Sequence, residues 1–375
     1  MRKHDRVNSV FFQLLRAGLW EHEVLLLDYG TVDYNRITSL AEEQSVVGLI
    51  SAGLEHVSDV KIPKETVLSF VGRTLQIEQR NRAMNDFLEA LIQQLRGAGI
   101  YTLLLKGQGI AQCYEKPLWR SCGDIDLLLG KDGYKKAESF LKQTATLVEQ
   151  ADPYKLHGAM LIGPWLVETH GTLRGGLWKR LDRNLDKVQA SIFYEGKVRS
   201  WMNGKTQTFL PNADEDIVYV FSHILQHFFR GGIGLRQICD WCRLLWTYRD
   251  SVDTHLLEKR LKEMGVMTEW KAFAALAVDW LGMPSEAMPL YNPASRWRKK
   301  GNRIINLILE TGNFGQNRDL SYQKQYSFLI RKVISLWRLT WDNARQLWIF
   351  PVDPLRVWSN MFYSRIRFLM QMHAR

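Results

Sequence analysis

Residues 103–129 have the sequence LLLKGQGIAQCYEKPLWRSCGDIDLLL, in which two aspartates stand just before a run of leucines. Asp124 and Asp126 alternate with the apolar Ile125, and this period of two predicts a mostly buried β-strand. Side chains two residues apart on a strand point to the same side of the sheet. We therefore expect both carboxylates to leave the strand together, on one face.

Two carboxylates on one face of a buried strand need a compensating positive charge. An ionised carboxylate without a partner is costly to bury and otherwise takes up a proton. A divalent cation is the simplest compensator, and Mg²⁺ is commonly bound by one or two carboxylates together with the phosphates of a substrate. The stretch therefore predicts phosphoryl or nucleotidyl chemistry.

The composition is that of an ordinary globular protein. The chain has 375 residues, 46% apolar and 24% charged, which is enough for two or three domains. No apolar run approaches the roughly 20 residues that span a bilayer, so no transmembrane span is predicted. The N-terminal apolar portion is interrupted by Gln13 and Arg16, which is unlike a signal peptide. Four cysteines do not make a disulfide framework in so long a chain, and a cytoplasmic protein is expected.

Hydrophobic periodicity divides the chain into three regions. Residues 1–98 have a helical pattern and form an N-terminal helical region, in which a long helix begins at Pro63. Residues 99–210 alternate strands with helices and form the core of the fold. Residues 211–375 are helical again, basic and rich in tryptophan. The expected fold class is α+β, with a small mixed sheet between two helical regions.

Local patterns predict individual elements of the core region. An apolar strand over 100–105 leads into a short helix over 106–112, where Gly107 and Gly109 permit close approach of the backbone to a ligand. Further strands are expected at 160–162, at 165–169 and within 191–210. Further helices are expected at 134–143, 217–225 and 235–246.

Several motifs follow one another along the chain. They are LLLKGQGIA at 103–111, RSCGDIDLLL at 120–129, VETH at 167–170, and PNADEDIVYVFSHILQHF with LRQICDWCRLL at 211–228 and 235–245. This order resembles a bacterial family of uncharacterised nucleotidyltransferases with LKG, GDIDLL and ExH motifs, within the DNA polymerase β-like nucleotidyltransferase superfamily. The resemblance implies a nucleotidyltransferase-type mixed sheet with flanking helices. It also implies transfer of a nucleoside monophosphate from a nucleoside triphosphate, ATP being the expected one, to an unidentified acceptor.

The resemblance implies that three carboxylates bind the metal. Asp124 and Asp126 would hold Mg²⁺, or Mn²⁺, at the triphosphate, and Glu168 would complete the site and accept the proton of the attacking group. Two plainer interpretations stay open. The aspartates would be exposed strand acids, and Glu168 would be an ion-pair partner of Lys106 or Arg174.

Phosphate binding is expected from the segment between the two strands. The resemblance implies that Lys106 and Arg120 bring positive charge to the triphosphate, with backbone N–H groups of Gly107 and Gln108 adding to it. Alternatively, Lys106 and Arg120 only neutralise the acids. The KGQ sequence also departs from the Gly-Ser or Gly-Gly pair common in the superfamily. A catalytically inactive relative that binds or regulates is therefore a second candidate function.

Further polar residues fall close to these motifs. Four of them are expected to contact substrate or to orient the acids or helices: His170, His223, His227 and Asp240. The two histidines on the first C-terminal helix, with Cys239 and Cys242 on the next, also offer the ligand count of a structural zinc site. Buried cysteines without a metal are the alternative.

The net positive charge lies in the last part of the chain. Residues 295–375 contain fifteen Lys or Arg and four Asp or Glu, which accounts for the whole net charge of +11. A surface for nucleic acid or an anionic membrane is one interpretation, and it would suit a nucleic-acid-directed nucleotidyltransferase. Ordinary solvated helix faces are the other.

Aromatic residues recur at helical spacing in this basic region. Trp337, Trp341, Ala344 and Trp348 form an apolar stripe along one helix face. Core packing is the expected use of such a stripe, and a helix lying on a membrane surface is the alternative.

Overall fold

A computed structural model describes residues 3–148, 156–313 and 344–360, together with the single residues 317, 330, 334 and 341. The N-terminal helices are α1 (Lys3–Trp20), α2 (Tyr34–Glu43), α3 (Val47–Glu55) and α4 (Lys64–Gly97). The core elements are β1 (Thr102–Leu105), α5 (Gly107–Ala111), β2 (Asp124–Leu129), α6 (Lys131–Leu141), β3 (Leu147–Val148), β4 (His157–Ile162), β5 (Trp165–His170), α7 (Lys179–Tyr194), β6 (Val198–Asn203) and β7 (Thr206–Pro211). The C-terminal helices are α8 (Ala213–Arg230), α9 (Leu235–Tyr248), α10 (Thr254–Met264), α11 (Met267–Leu281) and α12 (Ser295–Thr311).

The expected α+β class, with helical regions before and after a mixed sheet, is confirmed. In the described part of the chain, seven strands form one sheet in the order β3-β4-β5-β2-β1-β7-β6. Strand β2 pairs in parallel with β5 and antiparallel with β1, so it has a neighbour on each side. The acidic strand therefore lies in the middle of the sheet. The division into 1–98, 99–210 and 211–375 stays a prediction.

The two faces of β2 contribute to two different cores, as its alternating sequence predicts. Ile125, Leu127 and Leu129 are buried in a cluster with residues of α4 and α6. Leu128 is buried in the larger cluster that includes α8 and α9. Because side chains alternate along a strand, Asp126 shares the face of Leu128 and points toward the C-terminal helices. Burial of each leucine contributes about 1.5–3 kcal/mol, which holds the strand in this register.

The turn after β1 is sharp because two successive residues have positive φ. Lys106 has a φ of 52° and Gly107 a φ of 42°. A residue with a side chain adopts such a conformation at a cost of about 1–3 kcal/mol, and it tends to do so at functional sites. Helix α5 begins at Gly107, and a Cβ atom on Gly109 would lie 2.2 Å from Leu210 Cδ2 of β7. The KGQG sequence thus permits a tight strand-to-helix turn beside the acids.

The N-terminal helices pack against the C-terminal ones. Arg16 of α1 donates hydrogen bonds to the carbonyl oxygens of Trp280 and Asp279, at 2.9 and 2.8 Å, near the end of α11. A cation is favourable there because the last carbonyls of a helix lack intrahelical partners. The two regions share one hydrophobic core that contains the fully buried Trp241 and Trp270. This helical body supports the face of the sheet that carries the acids.

The strand pattern expected within 191–210 is confirmed from Val198 onward and wrong at its start. Residues 191–194 form the last turn of α7, and the strands β6 and β7 follow it. Leu181, Leu185 and Val188 recur at helical spacing along α7 and are buried. Packing of this apolar face extends the helix into the predicted strand.

The two described tryptophans of the aromatic stripe near the C-terminus do not pack in the core. Trp341 is 60% exposed and Trp348 is 77% exposed, so the expected core packing is wrong for both, while Trp337 lies outside the described residues. The buried aromatic of this segment is instead Phe350, whose ring centroid lies 6.0 Å from that of Phe228. A neighbouring face of the segment therefore contacts the core.

The positive charge of the C-terminal region is partly balanced within the protein. Arg298 pairs with Asp279 at 2.9 Å, and Arg345 donates to Glu310 at 2.8 Å. These pairs are consistent with solvated helix faces, and a surface for nucleic acid or an anionic membrane stays a prediction. In the described part of the chain, no helix combines the length and the apolar character that crossing a bilayer requires.

Candidate active site

A cavity of about 370 Å³ lies between the sheet and helices α8 and α9. A volume of this order is typical of sites for small ligands. Every residue expected at the nucleotide site lines this cavity except Gln108. His157, Arg174 and Arg236 line it in addition. The predicted residues are therefore brought together in one place, although they come from distant parts of the chain.

The three expected carboxylates converge on neighbouring strands. Asp126 of β2 is the direct partner of Glu168 in the parallel pairing with β5, and Asp124 lies two residues before it. One carboxylate oxygen from each of the three residues lies within 4.8 Å of the other two. This spacing permits all three to bind one cation, or two cations side by side.

Negative charge is in excess at this cluster. The charge of Asp126, and then burial, raise the pKa of Asp124 from 3.8 to about 6. A carboxyl group whose pKa is raised in this way is destabilised in its ionised form. The acids therefore favour an additional cation, as the pair of carboxylates predicted.

Asp126 is the acid with the closest protein partners. Its side chain is buried, and its Oδ1 lies 3.0 Å from Lys106 Nζ and 2.8 Å from His170 Nε2. Burial alone would raise the pKa of Asp126, but the Lys106 ammonium and the His170 hydrogen bond hold that pKa well below its usual range. Lys106 is half-buried, and the charge of Asp126 raises the pKa of Lys106 although burial alone would lower it. Both groups are thus ionised, and Lys106 already serves as an internal cation.

Histidines surround the acids on two sides. Burial lowers the pKa of His170, so its neutral ring donates the Nε2 proton to Asp126. His157 lies across from His170 in the antiparallel pairing of β4 with β5, and its Nε2 is 3.1 Å from Glu168 Oε2. His157 was not among the residues expected from the sequence. Its place depends on strand pairing, which residue spacing alone does not indicate.

The histidines of α8 contact Lys106. His223 Nε2 lies 2.9 Å from Lys106 Nζ and 3.1 Å from His227 Nε2. Burial, and then the nearby Lys106 charge, lower the pKa of His223 well below its usual value and that of His227 to about 4. Both rings are therefore neutral near pH 7. A neutral His223 accepts a hydrogen bond from the ammonium of Lys106 and so keeps this ammonium beside Asp126.

Arg120 and Asp240 form a buried pair. Arg120 Nε and Nη2 each donate to one carboxylate oxygen of Asp240, both at 2.7 Å. Its Nη1 lies 3.3 Å from the carbonyl oxygen of Ser121 and 2.8 Å from Cys122 Sγ. Tyr114 also donates to Asp240, at 2.7 Å. These contacts join the segment before β2 to α9, and the expected phosphate-binding role of Arg120 stays a prediction.

The residues of the KGQ segment, Lys106 to Gln108, do not all face the cavity. Lys106 and Gly107 line the cavity. The amide nitrogen of Gln108 instead points to α4, where it lies 3.1 Å from Asn81 Oδ1 and 3.3 Å from Met84 Sδ. Any contact of Gln108 with phosphate is therefore expected from its backbone and not from its side chain.

Arg236 is a cationic lining residue that was not expected from the sequence. Its Nη1 donates to the carbonyl oxygen of Ser121 at 3.0 Å, while its buried Nε has no hydrogen-bond partner among the described residues. A buried donor without a partner is costly and is often completed by a ligand. One signal was present in the sequence, because Arg236 precedes Asp240 by four residues on α9 and so shares its helix face.

The possible zinc site is not assembled. Among the described residues, two groups of three or more ligand side chains converge, and neither contains Cys239 or Cys242. Both cysteines are fully buried in the helical core. They therefore match the alternative, in which buried cysteines pack as small apolar residues.

Comparison with known proteins gives one family match. Residues 30–282 match the sequence model of a family described as uncharacterised nucleotidyltransferases. No curated protein and no solved structure gives a significant match to the chain. The matched region covers more than half of the chain and contains the three carboxylates and both histidines of α8. The chain therefore belongs to the uncharacterised nucleotidyltransferase family, and it is a nucleotidyltransferase.

Proposed function

We propose that this enzyme transfers a nucleoside monophosphate from a nucleoside triphosphate, with ATP the expected donor, to an acceptor hydroxyl or similar nucleophile, and releases pyrophosphate. The acceptor would be a protein, a small molecule or a glycan. The observation that carries the proposal is the convergence of Asp124, Asp126 and Glu168 within 4.8 Å, at the wall of a ligand-sized cavity. The family match supports the same reaction class.

Mg²⁺ fits the donor set of this cluster. The three carboxylates offer the oxygen ligands that Mg²⁺ prefers, and the raised pKa of Asp124 indicates uncompensated negative charge. Asp124, Asp126 and Glu168 would hold the ion, or Mn²⁺ in its place. When bound, the metal would stabilise negative charge on the phosphate oxygens.

The cations of the cavity would bind the triphosphate. Lys106 is held at the acid cluster by Asp126 and His223, and its ammonium would donate to a phosphate oxygen of the bound nucleotide. Arg236 offers its unpaired Nε from the opposite helix. Gly107 and Gln108 supply N–H groups from the first turn of α5, where helical N–H groups lack intrahelical partners. These donors would stabilise the charge that develops on pyrophosphate as it leaves.

Glu168 would receive the proton of the acceptor. Its carboxylate lies beside Asp126 and within hydrogen-bonding distance of His157, at 3.1 Å. The oxygen of the acceptor would form a bond to the α-phosphorus, and the bond from that phosphorus to the bridging oxygen of pyrophosphate would break. The acceptor proton would pass to Glu168. In the metal-free protein, His170 would orient Asp126 through its Nε2–H.

The test compares nucleotides that carry the label at the α-phosphate with nucleotides that carry it at the γ-phosphate. Purified protein, Mg²⁺ and fractionated cell extract are incubated with α-labelled and, separately, γ-labelled forms of each NTP. The proposal expects one NTP to label an acceptor from the α-position only, because the γ-phosphate leaves with pyrophosphate. Labelling from the γ-position would show phosphoryl transfer instead and would contradict the proposal.

The same experiment separates the two alternative functions. A regulatory relative without catalysis, which the KGQ departure favours, would bind an NTP in a metal-dependent manner and label nothing. A nucleic-acid-directed enzyme, favoured by the basic 295–375 segment, would label RNA or DNA. Its binding to nucleic acid would also weaken as salt is raised, because phosphate contacts release counterions.

A further inference from the structure

Three side chains on β4 and β5 form a second cluster, which shares only Glu168 with the three-carboxylate site. His157 and His170 are direct partners in the antiparallel pairing of the two strands. Glu168 precedes His170 by two residues, so it lies on the same face of β5. Directly opposed residues of an antiparallel pair also share a face. Strand pairing therefore presents two imidazoles and one carboxylate to the cavity at adjacent positions.

The distances within this cluster suit a bound metal ion. Glu168 Oε2 lies 3.1 Å from His157 Nε2 and 3.7 Å from His170 Nε2. One ligand atom from each residue lies within 4.8 Å of the other two. With metal–ligand bonds of about 2.0–2.2 Å, the donor atoms of a tetrahedral site lie roughly 3.3–3.5 Å apart. The two distances from Glu168 Oε2 lie within about 0.4 Å of that spacing.

The donor set differs in chemistry from that of the three acids. Mg²⁺ prefers oxygen ligands, whereas imidazole nitrogen suits first-row transition metals such as Zn²⁺, Co²⁺ and Fe²⁺. Two histidines and one glutamate, with a position left open, form a known type of catalytic zinc site. We infer that His157, Glu168 and His170 bind a divalent transition-metal ion at a site distinct from the three-carboxylate site, with Glu168 common to both.

The cluster has room for an exchangeable fourth ligand. The side chains of His157 and Glu168 are 34% and 22% exposed, and that of His170 is 11% exposed. All three line the cavity of about 370 Å³. His170 now donates its Nε2 proton to Asp126, but a neutral imidazole can carry its proton on Nδ1 instead, which leaves Nε2 free to bind a metal.

A metal at this site would lie beside Glu168 and next to the acid cluster, because His170 Nε2 is also 2.8 Å from Asp126 Oδ1. β5 pairs with β2 on one edge and with β4 on the other, so the acid cluster and the histidine cluster flank Glu168. The metal site itself does not depend on nucleotide transfer.

The test uses Co²⁺ as a visible probe with the full chain. Metal-free protein is titrated with Co²⁺ in the presence of excess Mg²⁺, and the d–d absorption and the stoichiometry are measured. We expect one Co²⁺ with the intense absorption of a four- or five-coordinate site, and displacement by Zn²⁺. His157→Ala should weaken binding by at least about tenfold, and its thermal unfolding is measured to confirm that it folds.

Two control variants make the assignment specific. His227→Ala removes another histidine of the same cavity, and Asp124→Asn removes an acid of the oxygen site alone. Both should retain the Co²⁺ spectrum and affinity of the unmodified protein. The inference is overturned if folded His157→Ala binds Co²⁺ unchanged, if His227→Ala loses the site equally, or if the unmodified protein shows no such spectrum. Transfer of α-label is measured separately, so failure of the proposed function leaves the Co²⁺ result standing, and the reverse also holds.

Discussion

Lys106 places its ammonium nitrogen 3.0 Å from Oδ1 of Asp126, the buried member of the three acids. This contact puts a protein cation inside the cluster that we propose as the Mg²⁺ site. His223 holds the same nitrogen from the other side, at 2.9 Å. Lys106 therefore balances the buried charge of Asp126 in the metal-free protein.

Replacement of Lys106 by methionine should destabilise the metal-free protein. It leaves the Asp126 carboxylate buried without its cation, which we expect to lower the free energy of unfolding by about 3 kcal/mol at pH 7. Added Mg²⁺ should restore part of this loss. Urea unfolding with and without Mg²⁺ measures both effects. The matched control is Lys187→Met, which breaks the exposed pair with Glu263 and should cost less than about 1 kcal/mol. Equal losses in the two variants would contradict the charge-balancing role.

The backbone conformation of Lys106 predicts that glycine is more stabilising than alanine at this position, which is the reverse of their order within a helix. At a φ of 52°, Lys106→Gly should be more stable than Lys106→Ala by about 1 kcal/mol or more, because glycine adopts positive φ without strain. On the exposed face of α7, Lys187→Gly should instead be less stable than Lys187→Ala by roughly 1 kcal/mol. Thermal or urea unfolding of the four variants decides the point. The same order at both positions would rule out strain at the turn.

The raised pKa of Asp124 predicts that Asp124→Asn increases the free energy of unfolding by an amount that depends on pH. Between about pH 4 and pH 6 the folded metal-free protein retains a proton that the unfolded chain has released, so its stability falls as pH rises through this window. The asparagine variant should therefore be more stable at pH 7, by about 1–3 kcal/mol, and no more stable at pH 4. Urea unfolding at both pH values measures this, with the exposed Asp132→Asn as control. A gain that does not change with pH would show that charge is not its cause.

The buried pair of Arg120 and Asp240 should behave as one unit. Arg120→Met alone leaves a buried carboxylate unpaired and should cost about 3–5 kcal/mol. Addition of Asp240→Leu should cost much less than its own single effect, so a double-mutant cycle gives a coupling of several kcal/mol by the standard logic of such cycles. The exposed pair of Lys187 and Glu263 should give a coupling below about 1 kcal/mol. Additive effects for Arg120 and Asp240 would leave Arg120 free for the phosphate-binding role.

The acids could be predicted from the sequence because their signal is local. The period of two in this segment predicts that Asp124 and Asp126 lie on one face of a strand. The leucines beside them are buried and stabilise that strand in its position in the sheet. Glu168 came from the family resemblance, and the parallel pairing of β2 with β5 gives the physical reason that it meets Asp126. The α+β class followed from the same patterns.

Other parts of the site depend on packing between distant segments. His157 meets Glu168 only because β4 pairs with β5 in one register, and Arg120 meets Asp240 across 120 residues of sequence. Spacing along the chain carries no information on such pairs. The exposure of Trp348 has a similar origin, since a helical stripe indicates a face but not which neighbour it meets.

The most direct test of the account is nucleotide transfer by the double variant Asp124→Ala with Asp126→Ala. Transfer of α-label to the acceptor is compared with that of the unmodified protein and of the exposed control Asp132→Ala, after circular dichroism has shown that all three are folded. We predict that the double variant loses transfer by at least about a thousandfold, while the control retains it. A folded double variant that labels the acceptor at the rate of the unmodified protein would contradict the assignment of the site.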